Sequence, residues 1–202
     1  MRKRFFFFLF LLTASAASAQ QFSFEFWHNG YLILEGGDTL KGKIKYNLQT
    51  DLIQLQANNR LDTYTARKVV FFEIFDSVVK EYRKFYSLPY SANNSYRAPV
   101  FFELLSEGKM TLLCRENVEY KTYSSFYYYG SYTRLVLVNK YFLLTDNGQI
   151  QEFAGRKRND WLYEMGNNAD NVQQYAKTNK LDFDEKRDLT KIVEYYNSLF
   201  KK

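Results

Sequence analysis

The chain has 202 residues, with 28 Lys and Arg against 22 Asp and Glu, and only one Cys and one His. A single thiol excludes an internal disulfide, and one Cys with one His cannot supply the usual ligands of a zinc site. The sequence therefore predicts no disulfide, no metal and no other cofactor. With 18 Tyr and 19 Phe, the composition favours β structure.

The N-terminus resembles a secretory signal peptide. Residues 2–4 are basic, residues 5–12 are apolar, and small residues follow up to Ala19. This order is typical of a cleaved leader, so we predict a signal peptide over 1–19 and a mature chain that begins at Gln20. The alternative is an uncleaved anchor, but a membrane span needs about 20 apolar residues.

Removal of the leader lowers the net charge. Three of the 28 basic residues lie in the leader, which leaves 25 basic against 22 acidic residues, or +3. This is too mild for a nucleic-acid partner, which needs clustered Lys and Arg. We expect an exported protein without a transmembrane span in the mature chain, in the periplasm, at the outer membrane or secreted.

The cleanest predicted strands come first. Residues 31–34 and 40–46 flank a turn at 36–38, and the second run alternates strictly, with lysines 41, 43 and 45 on one face. Residues 52–56 predict a third strand, which ends at the turn Asn58-Asn59.

The next strands are less regular. Residues 64–75 contain an apolar run, Val69 to Phe72, that suits both faces of a strand near the centre of a sheet. Residues 80–86 predict another strand, stopped by Pro89.

Two further hairpins follow. Residues 100–105 and 110–115 flank a turn in which Gly108 can adopt a left-handed conformation. Residues 134–145 and 149–153 flank Asn147-Gly148, a strong hairpin signal. Three hairpins in one chain predict an antiparallel sheet.

The character changes after Gly155. Apolar residues at helical spacing predict C-terminal helices, with an interruption at 166–168. We therefore predict an α+β fold: an antiparallel, meander-like curved sheet or partial barrel over 20–155, followed by a helical segment over 156–202 packed on the same domain.

No residue pattern predicts catalysis. We expect His28 at an exposed strand entry and Cys114 in the core, and neither has the partners of a nucleophilic site. A carbohydrate-active or other hydrolase could instead use two dispersed carboxylates. The sequence singles out no pair among the candidates, which are Glu73, Asp76, Glu81, Glu103, Glu107, Glu116 and Glu119.

The most unusual stretch spans residues 120–132. Tyrosine combines a flat apolar ring with a hydroxyl group, which suits a surface that binds a sugar ring, a peptide or a lipid headgroup boundary. The simpler interpretation, which the strand propensity of Tyr favours, is a long hairpin whose alternate tyrosines pack against the sheet. The candidate surface residues are Tyr120, Tyr123, Phe126, Tyr127, Tyr128, Tyr129 and Tyr132.

Two segments carry a resemblance to known proteins. Residues 30–33 (GYLI) and 37–44 (GDTLKGKI) resemble the opening of uncharacterised exported proteins of Bacteroidetes. The resemblance covers about residues 30–75 and implies a location in the cell envelope, but it transfers no catalytic residue. Together with the tyrosines, it favours a non-enzymatic binding or assembly protein whose partner is an envelope protein or a glycan.

Overall fold

Alternation of apolar and polar residues produces a sheet of antiparallel strands, followed by helices. The computed structural model describes residues 22–91, 96–125, 130–155 and 157–200, so the predicted signal peptide lies outside the described residues. The strands are β1 (His28–Leu34), β2 (Thr39–Asn47), β3 (Leu52–Ala57), β4 (Arg60–Thr65), β5 (Val69–Asp76), β6 (Glu81–Tyr90), β7 (Ala98–Ser106), β8 (Thr111–Ser125), β9 (Gly130–Leu144) and β10 (Ile150–Phe153). The α-helices are α1 (Arg158–Met165), α2 (Ala169–Thr178) and α3 (Lys186–Ser198).

The ten described strands form one antiparallel sheet in the order β10-β9-β8-β7-β6-β5-β1-β2-β3-β4. Strand β5 pairs with β1, although it follows β4 after only residues 66–68. Four inter-strand steps on a flat sheet would span about 19 Å, whereas so short a connection reaches only about 14 Å. The sheet must therefore curl, which confirms the predicted α+β fold with a curved antiparallel sheet, here open rather than closed.

Two strand predictions need correction. The run 64–75 is not one strand, because Tyr64 belongs to β4 and only the part from Val69 belongs to β5. The turn Asn58-Asn59 is confirmed, with φ of 50° and 60°. Strand β6 continues through Pro89, which lies directly opposite Pro99 of β7. Two prolines can face each other in a pair that exchanges no hydrogen bonds.

Two apolar clusters lie on the inner face of the curved sheet. The first fills the curl of the strands, and the second lies between the sheet and the helices. Residues of the first include Leu32, Ile44, Tyr46, Phe72, Phe85 and Phe101. Residues of the second include Leu112, Trp161, Val172, Leu189, Ile192 and Val193. Among the described residues, no helix has both the length and the apolar character to cross a bilayer.

Helix α3 is fastened to the turn between β7 and β8. The Asn197 side chain accepts from the backbone N–H of Met110 (2.8 Å) and donates to its carbonyl oxygen and to Ser106 Oγ (2.9 Å each). Gly108 is required here for a reason the sequence did not reveal. A Cβ on Gly108 would lie 2.7–2.9 Å from carbon atoms of the Asn197 side chain, and its φ of 156° is far from a left-handed helical value.

Replacing Asn197 with Ala should lower the free energy of unfolding by about 2 kcal/mol, because two buried backbone groups of Met110 lose their partner. For a chain of this size the melting temperature should fall by roughly 4–8 °C. Circular dichroism on heating measures the change. Asn171→Ala, on the exposed face of α2, is the matched control. Equal melting temperatures for the two variants would contradict the prediction.

Candidate functional site

Strands β8 and β9 continue to pair with each other after β7 has separated from β8, and they form a two-stranded ribbon. Strand β7 pairs with β8 only as far as Glu103 and Cys114. Beyond that point β8 pairs with β9 alone, from Arg115–Lys140 to Ser125–Gly130. The eleven residue pairs correspond to roughly 35 Å at the usual rise per residue. We call residues 115–125 and 130–140 the ribbon.

The base of the ribbon is fixed by two charged side chains, Asp51 and Arg115, where β7 separates from β8. Asp51, in the turn after β2, accepts hydrogen bonds from the Phe101 backbone N–H (2.8 Å) and from Arg115 Nη1 (2.9 Å). Arg115 Nη1 also donates to the Phe101 carbonyl oxygen (2.8 Å). These two charged side chains replace the ladder hydrogen bonds that β7 and β8 no longer make, so the strands separate without leaving Phe101 unpaired.

The two faces of the outer ribbon differ. Tyr120 lies opposite Leu135 on one face, and the side chains are 76 % and 38 % exposed. On the other face Tyr123 lies opposite Tyr132, with ring centroids 5.5 Å apart and nearly parallel. The Arg134 guanidinium lies 4.8 Å from the centre of the Tyr123 ring. Aromatic rings are therefore presented to solvent on both faces of a regular ladder.

The structure settles the surroundings of three predicted surface residues. Tyr120 and Tyr132 (53 % exposed) do not pack against the sheet, while Tyr123 is half-buried by its neighbours on the ribbon. The other candidates, Phe126, Tyr127, Tyr128 and Tyr129, lie outside the described residues.

A second unusual feature is a buried cluster of charges at the foot of the ribbon. Arg83 of β6, only 5 % exposed, donates from Nε (2.8 Å) and Nη2 (2.7 Å) to the two carboxylate oxygens of Glu103. Its Nη2 also donates to Glu116 (2.6 Å). Its Nη1 donates to Asp76 (3.0 Å) and to the Tyr46 hydroxyl (2.7 Å).

Helix α3 supplies the second cation of this cluster. Lys186, the first residue of α3, donates from Nζ to Glu103 (3.1 Å) and to Glu116 (2.9 Å). We call Asp76, Arg83, Glu103, Glu116 and Lys186 the charge cluster. It lies between the two inner apolar clusters, and it joins the sheet to the start of the last helix.

Residues near the N-terminal end of the described chain contact the cluster at Asp76. The Ser23 hydroxyl donates to Asp76, and His28 Nε2 donates to the Ser23 carbonyl oxygen (2.7 Å). His28 Nδ1 lies 4.0 Å from the Asp76 carboxylate. The predicted exposure of His28 is wrong: the residue is 1 % exposed, because β1 begins at His28 and its ring faces the core beside Tyr46.

The electrostatics favour the charged forms within the cluster. Burial opposes ionisation of Glu103, but Arg83 and Lys186 outweigh it and lower the pKa of Glu103 to about 2. Burial likewise opposes the charge on Arg83, yet Glu103 holds the pKa of Arg83 well above its usual value. The pKa of Asp76 is also lowered: burial opposes its ionisation, and hydrogen bonds from Ser23 and Arg83 overcome that effect.

These properties suit structural support and not hydrolysis. Glu103 and Glu116 converge, as two catalytic carboxylates would, but they are only 4 % and 7 % exposed. A carboxyl group with a pKa of about 2 is ionised at neutral pH and cannot serve as a general acid. The adjoining cavity beside Tyr46 and Leu48 has a volume of about 10 Å³, room for about one water molecule.

Cys114 lies in the core near this cluster, as predicted. Burial raises the pKa of its thiol, so the thiolate needed for nucleophilic attack is disfavoured. Within the described residues, no group of three or more His, Cys, Asp or Glu side chains could hold a metal ion.

The two cations of the cluster, Arg83 and Lys186, were not predicted from the sequence. Arg83 and the buried Phe85 are two residues apart in β6, so alternation places them on the same face of the strand. Aromatic residues also occur on the other face, so alternation alone does not show which face is buried. Lys186 could not have been found, because its partners lie 70 or more positions away in the chain.

No known protein family matches the chain, and comparisons with curated proteins and with solved structures find no similar protein.

Proposed function

We propose that this chain is an exported, non-enzymatic binding or assembly protein of the bacterial cell envelope. In this proposal the sheet is the support, and the ribbon is the surface that contacts an envelope protein or glycan. The observation that carries the proposal is the ribbon itself, a regular two-stranded extension that presents Tyr120, Tyr132 and Leu135 to solvent.

Tyrosine side chains cost little conformational entropy to order. A tyrosine side chain has few rotatable bonds, so its fixation by a partner costs little entropy while a large flat area is buried. Tyr123 already contacts Arg134 and Tyr132 before any partner binds. A pre-ordered surface of this kind loses less conformational freedom on binding than a flexible loop does.

The base of the ribbon is also held in place by ion pairs to two other parts of the chain. Its base is tied to the β2–β3 turn through Asp51 and Arg115, and to α3 through Glu116 and Lys186. A partner bound at Tyr120 and Tyr132 would therefore be held at a fixed position relative to the sheet. This property is useful in a protein that assembles other components.

The double variant Tyr120→Ser/Tyr132→Ser should lose at least 90 % of the partner that the native chain retains. The measurement uses the tagged, full-length chain in its native host, with cross-linking, purification and quantification of the proteins and glycans recovered. The loss is expected because both rings are exposed, whereas the fold loses at most one cross-strand aromatic pair, worth about 1 kcal/mol.

The matched control is Tyr163→Ser. Tyr163 lies on α1, away from the ribbon, and is 85 % exposed, so its loss removes a similar ring from a different surface. Retention of the partner by the control and loss by the double variant would support the proposal. Undiminished retention by a folded double variant would remove the ribbon from the binding surface.

A further inference from the structure

The outer face of the sheet carries a second surface, independent of the ribbon. The buried Ile44 and Tyr46 fix the inner face of β2, so lysines 41, 43 and 45 lie on its outer face. Lys41 pairs with Tyr31, and Lys43 pairs with Asn29. The three lysines thus form a basic stripe across the open side of the strand.

Exposed aromatic residues continue this face beyond the lysines. Asn29, beside Lys43, pairs on its other side with Phe75, and Phe75 pairs with Tyr82. The Phe75 and Tyr82 rings are 5.1 Å apart, and the residues are 37 % and 71 % exposed. Trp27, one residue before β1, continues the alternation of Asn29 and is 38 % exposed.

The rim at this end of the sheet is also apolar. The turn between β5 and β6 exposes Val78 (55 %) and Val79 (49 %). We name the lysines 41, 43 and 45 together with Trp27, Phe75, Val78, Val79 and Tyr82 the basic-aromatic face.

The charge of this face is not neutralised by its neighbours. Within the described part of the chain, none of the three lysines forms an ion pair with a carboxylate. The acidic residue on the adjoining outer face of β5 is Glu73, and it lies directly opposite Lys84. The stripe therefore presents an uncompensated positive charge to solvent, next to exposed apolar side chains.

We propose that the basic-aromatic face docks on the surface of a bilayer that contains anionic phospholipid. Lysines at a membrane surface are attracted to anionic headgroups, while Trp and Tyr rings prefer the boundary between headgroups and acyl chains. A soluble polyanion would use the lysines but would leave Val78 and Val79 in water, so the apolar rim favours a lipid surface. This proposal does not depend on the ribbon.

The chain contains its own probe for the test. Of its two tryptophans, Trp161 is buried at 2 % exposure and Trp27 lies on the proposed face. On addition of vesicles of 70 % phosphatidylcholine and 30 % phosphatidylglycerol, Trp27 emission should shift to shorter wavelength. Vesicles of phosphatidylcholine alone should bind at least tenfold more weakly, and 0.5 M NaCl should weaken docking because it screens the lysines.

Neutral and conservative variants identify the surface. The variant Lys41→Gln/Lys43→Gln/Lys45→Gln should bind the anionic vesicles at least tenfold more weakly in co-sedimentation, whereas the corresponding Lys→Arg variant should bind like the native chain. The matched control removes three exposed lysines of the helical region, as Lys157→Gln/Lys177→Gln/Lys180→Gln, and should bind normally. Trp27→Phe should bind but show no emission shift.

Two outcomes would overturn the proposal. One is equal vesicle binding by the folded Lys→Gln variant and the native chain. The other is binding to single-stranded DNA as tight as that to vesicles, without an emission shift, since the face would then respond to negative charge and not to lipid. The ribbon variant Tyr120→Ser/Tyr132→Ser should bind vesicles normally, which separates this result from the test of the proposed function.

Discussion

Replacement of Arg83 with Met should lower the free energy of unfolding by about 3–5 kcal/mol. Arg83 makes hydrogen bonds to three buried carboxylates, those of Asp76, Glu103 and Glu116. Without it Glu103 and Glu116 keep Lys186 as their only cation, and Asp76 keeps the Ser23 hydroxyl and backbone N–H groups. Each of the three residues is at most 7 % exposed. The loss is large because charges that water cannot reach would have lost their main partner. Urea unfolding at pH 7, followed by circular dichroism, measures it.

Two further variants of Arg83 and its neighbour test this explanation. Arg83→Lys keeps the charge but cannot reproduce the paired bonds to Glu103, so its loss should be intermediate. Lys84→Met changes the next, exposed residue and should alter the free energy of unfolding by less than about 0.5 kcal/mol. A loss below about 1 kcal/mol for Arg83→Met would contradict the assigned role.

A compensated variant separates charge imbalance from lost packing. In Arg83→Met/Glu103→Gln/Glu116→Gln, the remaining charges of the cluster are one carboxylate, Asp76, and one cation, Lys186. If uncompensated charge causes the loss, this triple variant should be more stable than Arg83→Met alone. The reason is that the triple variant buries two fewer carboxylates that have lost Arg83 as their partner.

The cluster also explains how the parts of the chain are held together. Ser23 and His28 reach it from the N-terminal segment, and Lys186 reaches it from α3. The two apolar clusters that it separates could slide against each other, because apolar contacts are not directional. Charged hydrogen bonds are directional, so the cluster fixes the position of α3 relative to the strands.

Local patterns predicted much of this fold. The alternation in β2, the Asn-Gly hairpin and the helix interruption at 166–168 are set by neighbouring residues, and each is present. The pairing of β5 with β1 was not predictable in the same way. It depends on the curl of the sheet, and the curl depends on contacts between residues far apart in the chain.

For the candidate sites, too, features set by neighbouring residues were predictable and features set by distant residues were not. The unusual tyrosine content of residues 120–132 was visible in the sequence, but the separation of β8 from β7 at Cys114 was not. That separation requires Asp51, more than 60 positions before Arg115, to take over the bonds of Phe101. Alternation predicted that lysines 41, 43 and 45 share one face of β2. No local pattern predicted that Phe75 and Tyr82 lie beside them.

The stability of the chain should fall steeply in acid, by about 3 kcal/mol for Glu103 alone. The pKa of Glu103 is lowered from 4.5 to about 2 in the folded chain, because Arg83 and Lys186 overcome the effect of burial. The folded state therefore binds fewer protons than the unfolded state between these values. The stabilisation is complete above about pH 4.5 and is lost as the pH falls towards 2, and Asp76 adds an effect of the same sign.

Glu103→Gln tests this linkage without unbalancing the cluster, since two carboxylates and two cations remain. The variant should be less stable than the native chain at pH 7, but it should lose less stability between pH 5 and pH 2.5. Urea unfolding at half-unit pH steps gives both curves. Glu107→Gln, in the exposed turn after β7, is the control and should follow the native curve. If Glu103→Gln instead runs parallel to the native curve through the acid range, the acid sensitivity arises elsewhere and Glu103 does not carry the proton linkage.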